Sequence, residues 1–221
     1  MCGRKTLTKG KIEIIEELSV DDWDEEFVPS YNIAPTQMAP VLTWRNHHRV
    51  VKSMKWGLIP SWSKDMSFAS KMINARSETL TIKPAFRNLI SRQRGIAITD
   101  GYYEWQKTPS GNIPYYIHRS DGKLLLLAAL WDTWVTPEKV LMFSYTIITN
   151  QASLALKTIH DRMPVVINPD EMMIWLNAEQ NSQVLALRLL QANDTGITSY
   201  PVSSFVNNVR NNSPECLNPL K

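Results

Sequence analysis

The stretch GIAITDGYYEW, residues 95–105, decides the fold. It starts with the apolar segment Ile96 to Ile98, turns at Asp100-Gly101 and continues into the aromatic run from Tyr102 to Trp105. Apolar and aromatic segments separated by an Asp-Gly turn are typical of consecutive β-strands. We therefore predict a strand from Gly95 that turns at Asp100-Gly101 and runs on to Trp105, in a β-rich fold.

Further strands are predicted on both sides of this stretch. Residues 38–44 and 49–56 form a hairpin, and the other strands fall at 113–118, 124–131, 141–149, 165–167 and near 200–202. Short helices are predicted at 8–19, 84–91, 152–159, 170–176, with Asp170 as N-cap, and 182–191. Strands separated by turns favour antiparallel sheets over βαβ units. We expect an α+β fold with mostly antiparallel, twisted sheets forming a barrel-like core with flanking short helices.

Two local predictions concern burial. In the first helix Ile12, Ile15 and Leu18, with Ile14, form an apolar stripe that is expected to face the core. His47 and His48 lie in the hairpin turn, so we expect them at the surface rather than as ligands. No repeat, low-complexity tract or linker interrupts the 221 residues, which predicts a single domain over residues 1–221.

Composition narrows the class of protein. No apolar run approaches the ~18 residues of a membrane span, and the N-terminus lacks the apolar segment of a secretory signal. Two cysteines provide neither a disulfide framework nor a zinc spacing. We expect a cytoplasmic monomer without membrane contact, metal or organic cofactor. Five acids fall in residues 21–26, so the rest of the chain is more basic than its net charge of +3. Charge alone is equally compatible with a surface that binds a polyanion and with an ordinary mixed surface.

The N-terminal segment Met1-Cys2-Gly3-Arg4 carries unusual chemistry. If Met1 is removed, Cys2 presents an α-amine and a thiol on adjacent carbons. The α-amine titrates near pH ~8, so part of it is neutral at physiological pH and can attack an aldehyde. The thiol can then close a five-membered thiazolidine ring. The plainer interpretation, an incidental cysteine at a frayed terminus, is favoured by position alone.

Four internal residues are also suited to chemistry. Asn74 and Arg76 lie two positions apart, so in an extended segment both project to one side. Glu104 is a carboxylate set among aromatic residues, as suits proton transfer, although a salt bridge at a strand end is commoner. His160 follows a predicted helix beside an arginine, where site residues often lie, although most such histidines are simply polar surface residues.

Together these residues and their flanks resemble the SOS-response-associated peptidase family, the abasic-site processing proteins that crosslink to DNA. The resemblance runs nearly end to end. Its motifs are Met-Cys-Gly-Arg at the N-terminus, Tyr31 to Pro35, Trp56 to Trp62, Asn74 to Thr79, Gly101 to Trp105, His160 to Pro164 and Val206 to Arg210.

The resemblance implies catalytic roles for Cys2, Asn74, Glu104 and His160. It implies that Cys2 traps the ring-opened sugar of an abasic site in single-stranded DNA. It also implies phosphate contacts for Arg4, Arg76 and Arg162, lesion contacts for Asn32 and Thr149, and an apolar wedge of Pro35, Trp62 and Trp105. Ser63 stands where some relatives carry a second tryptophan, the strand at 95–98 lacks the usual cysteine, and a further arginine is replaced by Lys83 or Arg87.

Rival interpretations remain open at this point. Cys2 and His160 can be the nucleophile and base of a cysteine hydrolase acting on peptides, with removal of Met1 as a narrow form of that activity. The chain can instead be a non-covalent module for single-stranded DNA in which Cys2 is incidental. A lyase that cuts beside the abasic site would use the same Schiff base.

Overall fold

The computed structural model describes residues 2–23, 25–180 and 182–220. Its strands are β1 (Lys5–Leu7), β2 (Ser30–Ile33), β3 (Met38–Arg45), β4 (His48–Trp56), β5 (Asn74–Arg76), β6 (Arg94–Thr99), β7 (Gly101–Thr108), β8 (Gly111–Arg119), β9 (Leu125–Val135), β10 (Leu141–Gln151), β11 (Arg162–Pro164) and β12 (Ile197–Pro201). Its α-helices are α1 (Lys11–Leu18), α2 (Met172–Leu176) and α3 (Gln183–Arg188). The α+β prediction is confirmed.

A closed five-stranded barrel forms the core. Strands β10, β4, β3, β6 and β9 are hydrogen-bonded in that order, and β9 pairs back onto β10. All neighbours are antiparallel except β10 and β4, which are parallel at Tyr145 and Trp56. Inward-facing aliphatic side chains such as Leu42, Ile96 and Ile147 are fully buried. The second half of β10 extends the sheet by pairing with the short strands β5 and β11.

A second sheet has the order β12-β8-β7-β1-β2 and is antiparallel throughout. Here β1 pairs with β7, with Lys5 opposite Tyr102. The N-terminal segment continues along the same strand, since the Tyr103 amide donates to the Arg4 carbonyl at 2.9 Å. The start of the chain is therefore held between this sheet and the barrel.

The stretch at 95–105 joins the two sheets. β6 belongs to the barrel and β7 to the second sheet, with only Asp100 between them. The Asp100 carboxylate fixes this crossing by accepting hydrogen bonds from the Thr6 hydroxyl and from the amide and hydroxyl of Thr8. Gly101 is needed here, because a Cβ atom would lie 2.3 Å from the Tyr116 ring. The predicted strand is thus divided at Asp100 into two strands, which pair with different partners.

Several local predictions are confirmed. Strands β3 and β4 form the expected hairpin, with Asn46 and His47 in the left-handed region at φ 49° and 65°. His47 and His48 are exposed, as predicted. The last predicted helix is α3, which starts after Ser182 as N-cap.

Other local predictions are wrong. Ile14 and Leu18 are buried in α1, but Ile12 is 74% exposed because the helix starts only at Lys11 and turns that side chain outward. Residues 84–91 and 152–159 form helical turns rather than regular helices, in keeping with the cost of nucleating short helices.

Two boundaries near the C-terminal third also differ from prediction. The strand predicted at 165–167 lies instead at Arg162–Pro164, as β11. The amides of Val165 and Ile167, which follow it, each donate one hydrogen bond to a barrel strand. Asp170 lies inside a 3-10 turn, Pro169–Glu171, and is not an N-cap. No helix within the described ranges is long and apolar enough to cross a membrane.

Candidate active site and nucleic-acid interface

Cys2 is held in the seam between the two sheets. Its side chain is fully buried, and its carbonyl oxygen accepts a hydrogen bond from Asn74 Nδ2 at 2.8 Å. Asn74 begins β5, which pairs in parallel with β10 and faces Ile147. The amide therefore anchors the N-terminal residue to the barrel. Asn74 Oδ1 is buried and has no hydrogen-bond partner in the described part of the chain, so it remains able to accept one.

Burial and charge determine the state of the Cys2 thiol. Desolvation, together with the nearby Glu104 carboxylate, raises the pKa of Cys2 to about 12. Glu104 lies on β7 and is itself 5% exposed. Desolvation first and the Cys2 charge second raise the pKa of Tyr145, so a phenol lies on another side of the same thiol. At neutral pH the thiol is protonated, and a thiolate forms only with a proton acceptor beside it.

Lys5 adds a buried cation that the sequence analysis did not identify. Its side chain is fully buried on β1, and Nζ donates to the Ile98 carbonyl at 2.8 Å. Desolvation lowers the pKa of Lys5 to about 8, although the charges of Cys2 and Asp100 oppose this shift. The environment of Cys2 therefore contains a carboxylate and an ammonium group of opposite sign.

A cleft of about 490 Å³ opens beside this seam. It is lined by Arg76, Gln151, Ala152, Lys157, His160, Asp161 and Arg162. Arg76 reaches it from the end of β5, opposite Thr149 on β10, and Gln151 is opposite Arg162 on β11. Asn74 and Arg76 thus connect the Cys2 contact to the cleft, as their spacing predicts. Lys157 and Gln151 are lining residues that the sequence analysis missed.

Three cationic side chains, Arg76, Lys157 and Arg162, line the cleft, and of the two arginines Arg76 is the one whose guanidinium is unengaged by any described residue. It is exposed, and among residues 2–23, 25–180 and 182–220 its side chain has no hydrogen-bond or ion-pair partner. A free guanidinium offers planar donors that match a phosphate. The cleft therefore has the charge and shape to accept an anionic group.

His160 lies at the cleft wall with two neighbours at one nitrogen. The amide of Arg162 donates toward Nδ1 at 3.0 Å, while Asp161 Oδ1 lies 2.8 Å from the same atom. An unprotonated Nδ1 accepts from the amide, whereas a protonated Nδ1 donates to the carboxylate. Both protonation states therefore have a partner, as suits a residue that moves protons. Gln106 Nε2 ties β7 to this segment by donating to the Thr158 carbonyl at 2.9 Å.

Arg162 is engaged by protein groups. Its Nη1 and Nη2 contact Glu78 Oε1 and Oε2 at 2.5 and 3.0 Å, and Nη2 also donates to the Thr149 carbonyl at 2.5 Å. The hydrogen bonds from Arg162 lower the pKa of Glu78 to about 2. Thr149 is fully buried beneath this pair. Sequence analysis missed Glu78, although it belongs to the same motif as Asn74 and Arg76.

A separate cluster holds Arg4, Asn32 and Trp105 against the C-terminal tail. Arg4 Nη1 donates to Asn32 Oδ1 at 2.7 Å and to the Val206 carbonyl at 2.9 Å. Asn32 is 2% exposed, and its Nδ2 donates to three tail carbonyls. The Trp105 indole donates to Asn207 Oδ1 at 2.8 Å and lies 5.7 Å from the Arg4 guanidinium. These side chains brace the tail and do not line the cleft.

Trp62 and Pro35 belong to loops that approach the site from the β4 side. Trp62 is 57% exposed and packs edge-on against Phe68 at 5.5 Å. Its loop follows β4 and runs beside the residues that precede Asn74, since the Leu58 amide donates to the Met72 carbonyl at 3.1 Å. Pro35 is half-buried in the loop before β3. The flanking residues Ser61 and Ser63 bond to Asp132 and Trp134 of β9, so Trp62 is presented to solvent beside that strand.

The sequence-predicted residues thus form three groups. Cys2, Asn74 and Glu104 meet at the seam, Arg76, His160 and Arg162 share the cleft, and the Arg4 cluster lies along the tail. Met1 lies outside the described residues. Among those described, no group of three or more His, Cys, Asp or Glu side chains is placed to hold a metal ion.

Comparison with solved structures supports the architecture. A protein from Bacteroides thetaiotaomicron matches with a TM-score of 0.89 over 100% of both chains, at 23% identity, which bears on the fold alone. A phage-related protein from Bordetella bronchiseptica matches with a TM-score of 0.70 at 27% identity, covering 91% of this chain and 94% of its own.

Comparison with curated proteins identifies closer relatives. Abasic site processing protein YoqW of Bacillus subtilis is 39% identical over 98% of this chain and 99% of its own length. Abasic site processing protein HMCES of Gallus gallus is 33% identical over 100% of this chain and 78% of its own length. The model of the SOS response associated peptidase (SRAP) family matches residues 1–209. The chain belongs to the SOS response associated peptidase family.

Proposed function

We propose that this protein processes abasic sites in DNA and traps them covalently, in single strands, through an N-terminal Cys2 exposed by removal of Met1. The names of its curated relatives support the substrate class. The observation that carries the covalent mechanism is the 2.8 Å hydrogen bond from Asn74 to the Cys2 carbonyl. That contact fixes the aminothiol beside Glu104 and next to the arginine-lined cleft.

The reaction joins one aldehyde to the two nucleophiles of Cys2. The neutral α-amine attacks the sugar aldehyde, forming a C–N bond and a carbinolamine. The hydroxyl leaves as water after it gains a proton, which gives a protonated imine. The thiol then loses its proton to a base and sulfur attacks the imine carbon. The C=N electron pair returns to nitrogen, which leaves a thiazolidine and one water.

The raised thiol pKa determines the order of these steps. Burial and the Glu104 charge raise the pKa of the Cys2 thiol and so disfavour the thiolate, and we assign the first attack to the amine. Ring closure then needs a proton acceptor, and Glu104 is the carboxylate whose charge reaches the thiol. We assign proton transfer at sulfur to Glu104.

The remaining site residues position or protonate the sugar. Asn74 holds the Cys2 backbone through Nδ2, and its unpartnered Oδ1 can accept a hydrogen bond from the amine or from a sugar hydroxyl. His160, which has a partner at Nδ1 in either protonation state, delivers a proton to the departing oxygen. Holding the aldehyde here converts a bimolecular condensation into an intramolecular one.

DNA binding is assigned to the cleft and its flanking aromatic residues. Arg76, Arg162 and Lys157 contact phosphates, while the exposed Trp62 stacks on a base. A strand that lacks one base exposes its sugar at little cost in stacking energy, which favours single-stranded substrates. Arg4, Asn32 and Thr149 are assigned positioning roles, because each of these side chains already makes a hydrogen bond to a protein group.

Two side reactions follow from the same chemistry. The protonated imine can lose the 3′ phosphate by β-elimination, which is a lyase reaction. Cys2 and Glu104 can also assist hydrolysis of the bond after Met1. A general cysteine hydrolase is disfavoured, because the thiolate it requires is suppressed by a pKa of about 12.

A single experiment tests the proposal. Purified protein is incubated with a single-stranded oligonucleotide that carries one abasic site, and the mixture is run on a denaturing gel after heating. We expect a heat-stable protein–DNA band that Cys2→Ala abolishes. Cys216→Ser serves as the matched control, because Cys216 is the other fully buried thiol and should leave the band intact. A band that survives Cys2→Ala, or no band with the wild type, contradicts the mechanism.

A further inference from the structure

The Arg162 side chain has few donors left for DNA. A guanidinium carries five N–H groups. One on Nη1 and one on Nη2 are taken by Glu78, and Nη2 also donates to the Thr149 carbonyl. The Nε atom is buried and without a hydrogen-bond partner in the described ranges. The edge formed by Nη1 and Nη2, which could bind a phosphate, is therefore already occupied by the Glu78 carboxylate.

The two side chains of this ion pair differ in exposure, and Glu78 Oε2 also accepts a hydrogen bond from the Ser77 hydroxyl at 3.3 Å. The Arg162 side chain is 12% exposed, whereas that of Glu78 is 45% exposed. Arg162 is fixed from behind by Thr149, while Glu78 has solvent into which it can rotate. Glu78 also does not line the cleft, although Arg162 does. An arriving anion can displace the carboxylate without moving the arginine.

We propose that Glu78 occupies the place of a DNA phosphate on Arg162 in the free protein and is displaced when a strand enters the cleft. This inference rests on the proposed function. Arg76, which has no protein partner, makes the first phosphate contact. Glu78 then limits the affinity for DNA that Arg162 contributes, because a phosphate can bind Arg162 only after the Glu78 carboxylate is released.

The test measures binding without chemistry. The probe is a single-stranded oligonucleotide with a tetrahydrofuran residue, an abasic analogue that has no aldehyde, and the readout is fluorescence anisotropy between 50 and 300 mM salt. Glu78→Gln keeps the shape of the side chain and removes the competing charge. We expect roughly fivefold tighter binding near 0.1 M salt with a similar salt slope, because the strand makes the same phosphate contacts but no longer has to displace a carboxylate from Arg162.

A matched control separates this effect from net charge. Asp121 forms the other carboxylate–arginine fork on the surface, with Arg119 at 2.6 and 2.9 Å, in the turn between β8 and β9. Asp121→Asn changes the net charge by the same amount away from the cleft, and we expect its affinity and salt dependence to match the wild type.

The double variant Glu78→Gln/Arg162→Ala tests whether the gain in affinity for the oligonucleotide depends on Arg162. We expect it to bind no more tightly than Arg162→Ala alone, and Arg162→Gln replaces Arg162→Ala if thermal melting shows misfolding. Binding by Glu78→Gln that is equal to or weaker than wild type overturns the inference, as does a gain that persists without Arg162. If the wild type does not bind the oligonucleotide at all, that result contradicts the proposed function as well.

Discussion

The pH dependence of crosslinking distinguishes the order of attack at Cys2. Burial of Cys2 and the Glu104 charge raise the pKa of its thiol, so the thiolate is a minor form at pH 8. A reaction that starts from the thiolate would therefore accelerate about tenfold per pH unit and about hundredfold between pH 8 and 10. The α-amine titrates near pH ~8, so its neutral fraction only about doubles over that interval. The amine-first mechanism predicts a rate that rises to pH ~8 and then levels off.

The assay is a single-turnover time course with protein in excess over the abasic oligonucleotide, quenched in denaturant and resolved on a gel. Protein-free samples at each pH correct for alkaline breakage of the DNA, and Cys2→Ala provides the background. A log-linear rise that continues to pH 10 would refute the amine-first mechanism.

Glu104→Gln strengthens this test because the two mechanisms predict opposite changes. Removing the carboxylate removes one of the charges that raise the pKa of Cys2, so more thiolate forms at a given pH. A thiolate-first reaction would then become faster. If Glu104 accepts the thiol proton, crosslinking slows by about 10²–10⁴-fold. Faster crosslinking by this variant would contradict the role assigned to Glu104.

Three further predictions address position, charge and stability. Asn74→Ala leaves the Cys2 carbonyl without its hydrogen-bond donor, so we expect the free energy of unfolding to fall by about 1–3 kcal/mol. We also expect the crosslinking rate to fall roughly 10²-fold, because Cys2 is no longer held in place. Equal rates would show that this contact does not position Cys2. Arg76→Ala should lower the salt slope of single-strand binding by about 0.7, and an unchanged slope would contradict the assignment of Arg76 as a phosphate ligand. Arg162 lowers the pKa of Glu78 from 4.5 to about 2, so the stability that this ion pair adds is present above pH 4.5 and is lost as the pH falls through about 2. Thermal melts of Glu78→Gln should therefore lose less stability on acidification than those of the wild type. An unchanged acid profile would contradict a stabilising role for the pair.

Features that depend on neighbouring residues, such as hairpins and turns, could be predicted from the sequence. The hairpin at β3 and β4 followed from apolar runs and a polar turn, and the Asp100-Gly101 turn marked a real change of direction. The closure of the barrel did not follow, because the pairing of β9 with β10 and the parallel contact of β10 with β4 are long-range. Alternation and turn signals do not specify which strands become neighbours.

The candidate site was only partly predictable for the same reason. The spacing of Asn74 and Arg76 correctly indicated one side of a strand, and the motifs identified His160 and Glu104. Nothing in local sequence indicated that Asn74 would reach the Cys2 carbonyl, 72 residues away. The engagement of Arg162 by Glu78 likewise depends on tertiary pairing across 84 residues.

Peptide mapping of the DNA adduct tests the central claim most directly. Protein crosslinked to an abasic oligonucleotide is digested with nuclease and protease and analysed by mass spectrometry. The account predicts a modified peptide that begins at Cys2, lacks Met1, and has the mass of peptide plus sugar fragment minus one water. An adduct on another residue, such as the buried amine of Lys5, or a crosslinked chain that still carries Met1, would contradict it.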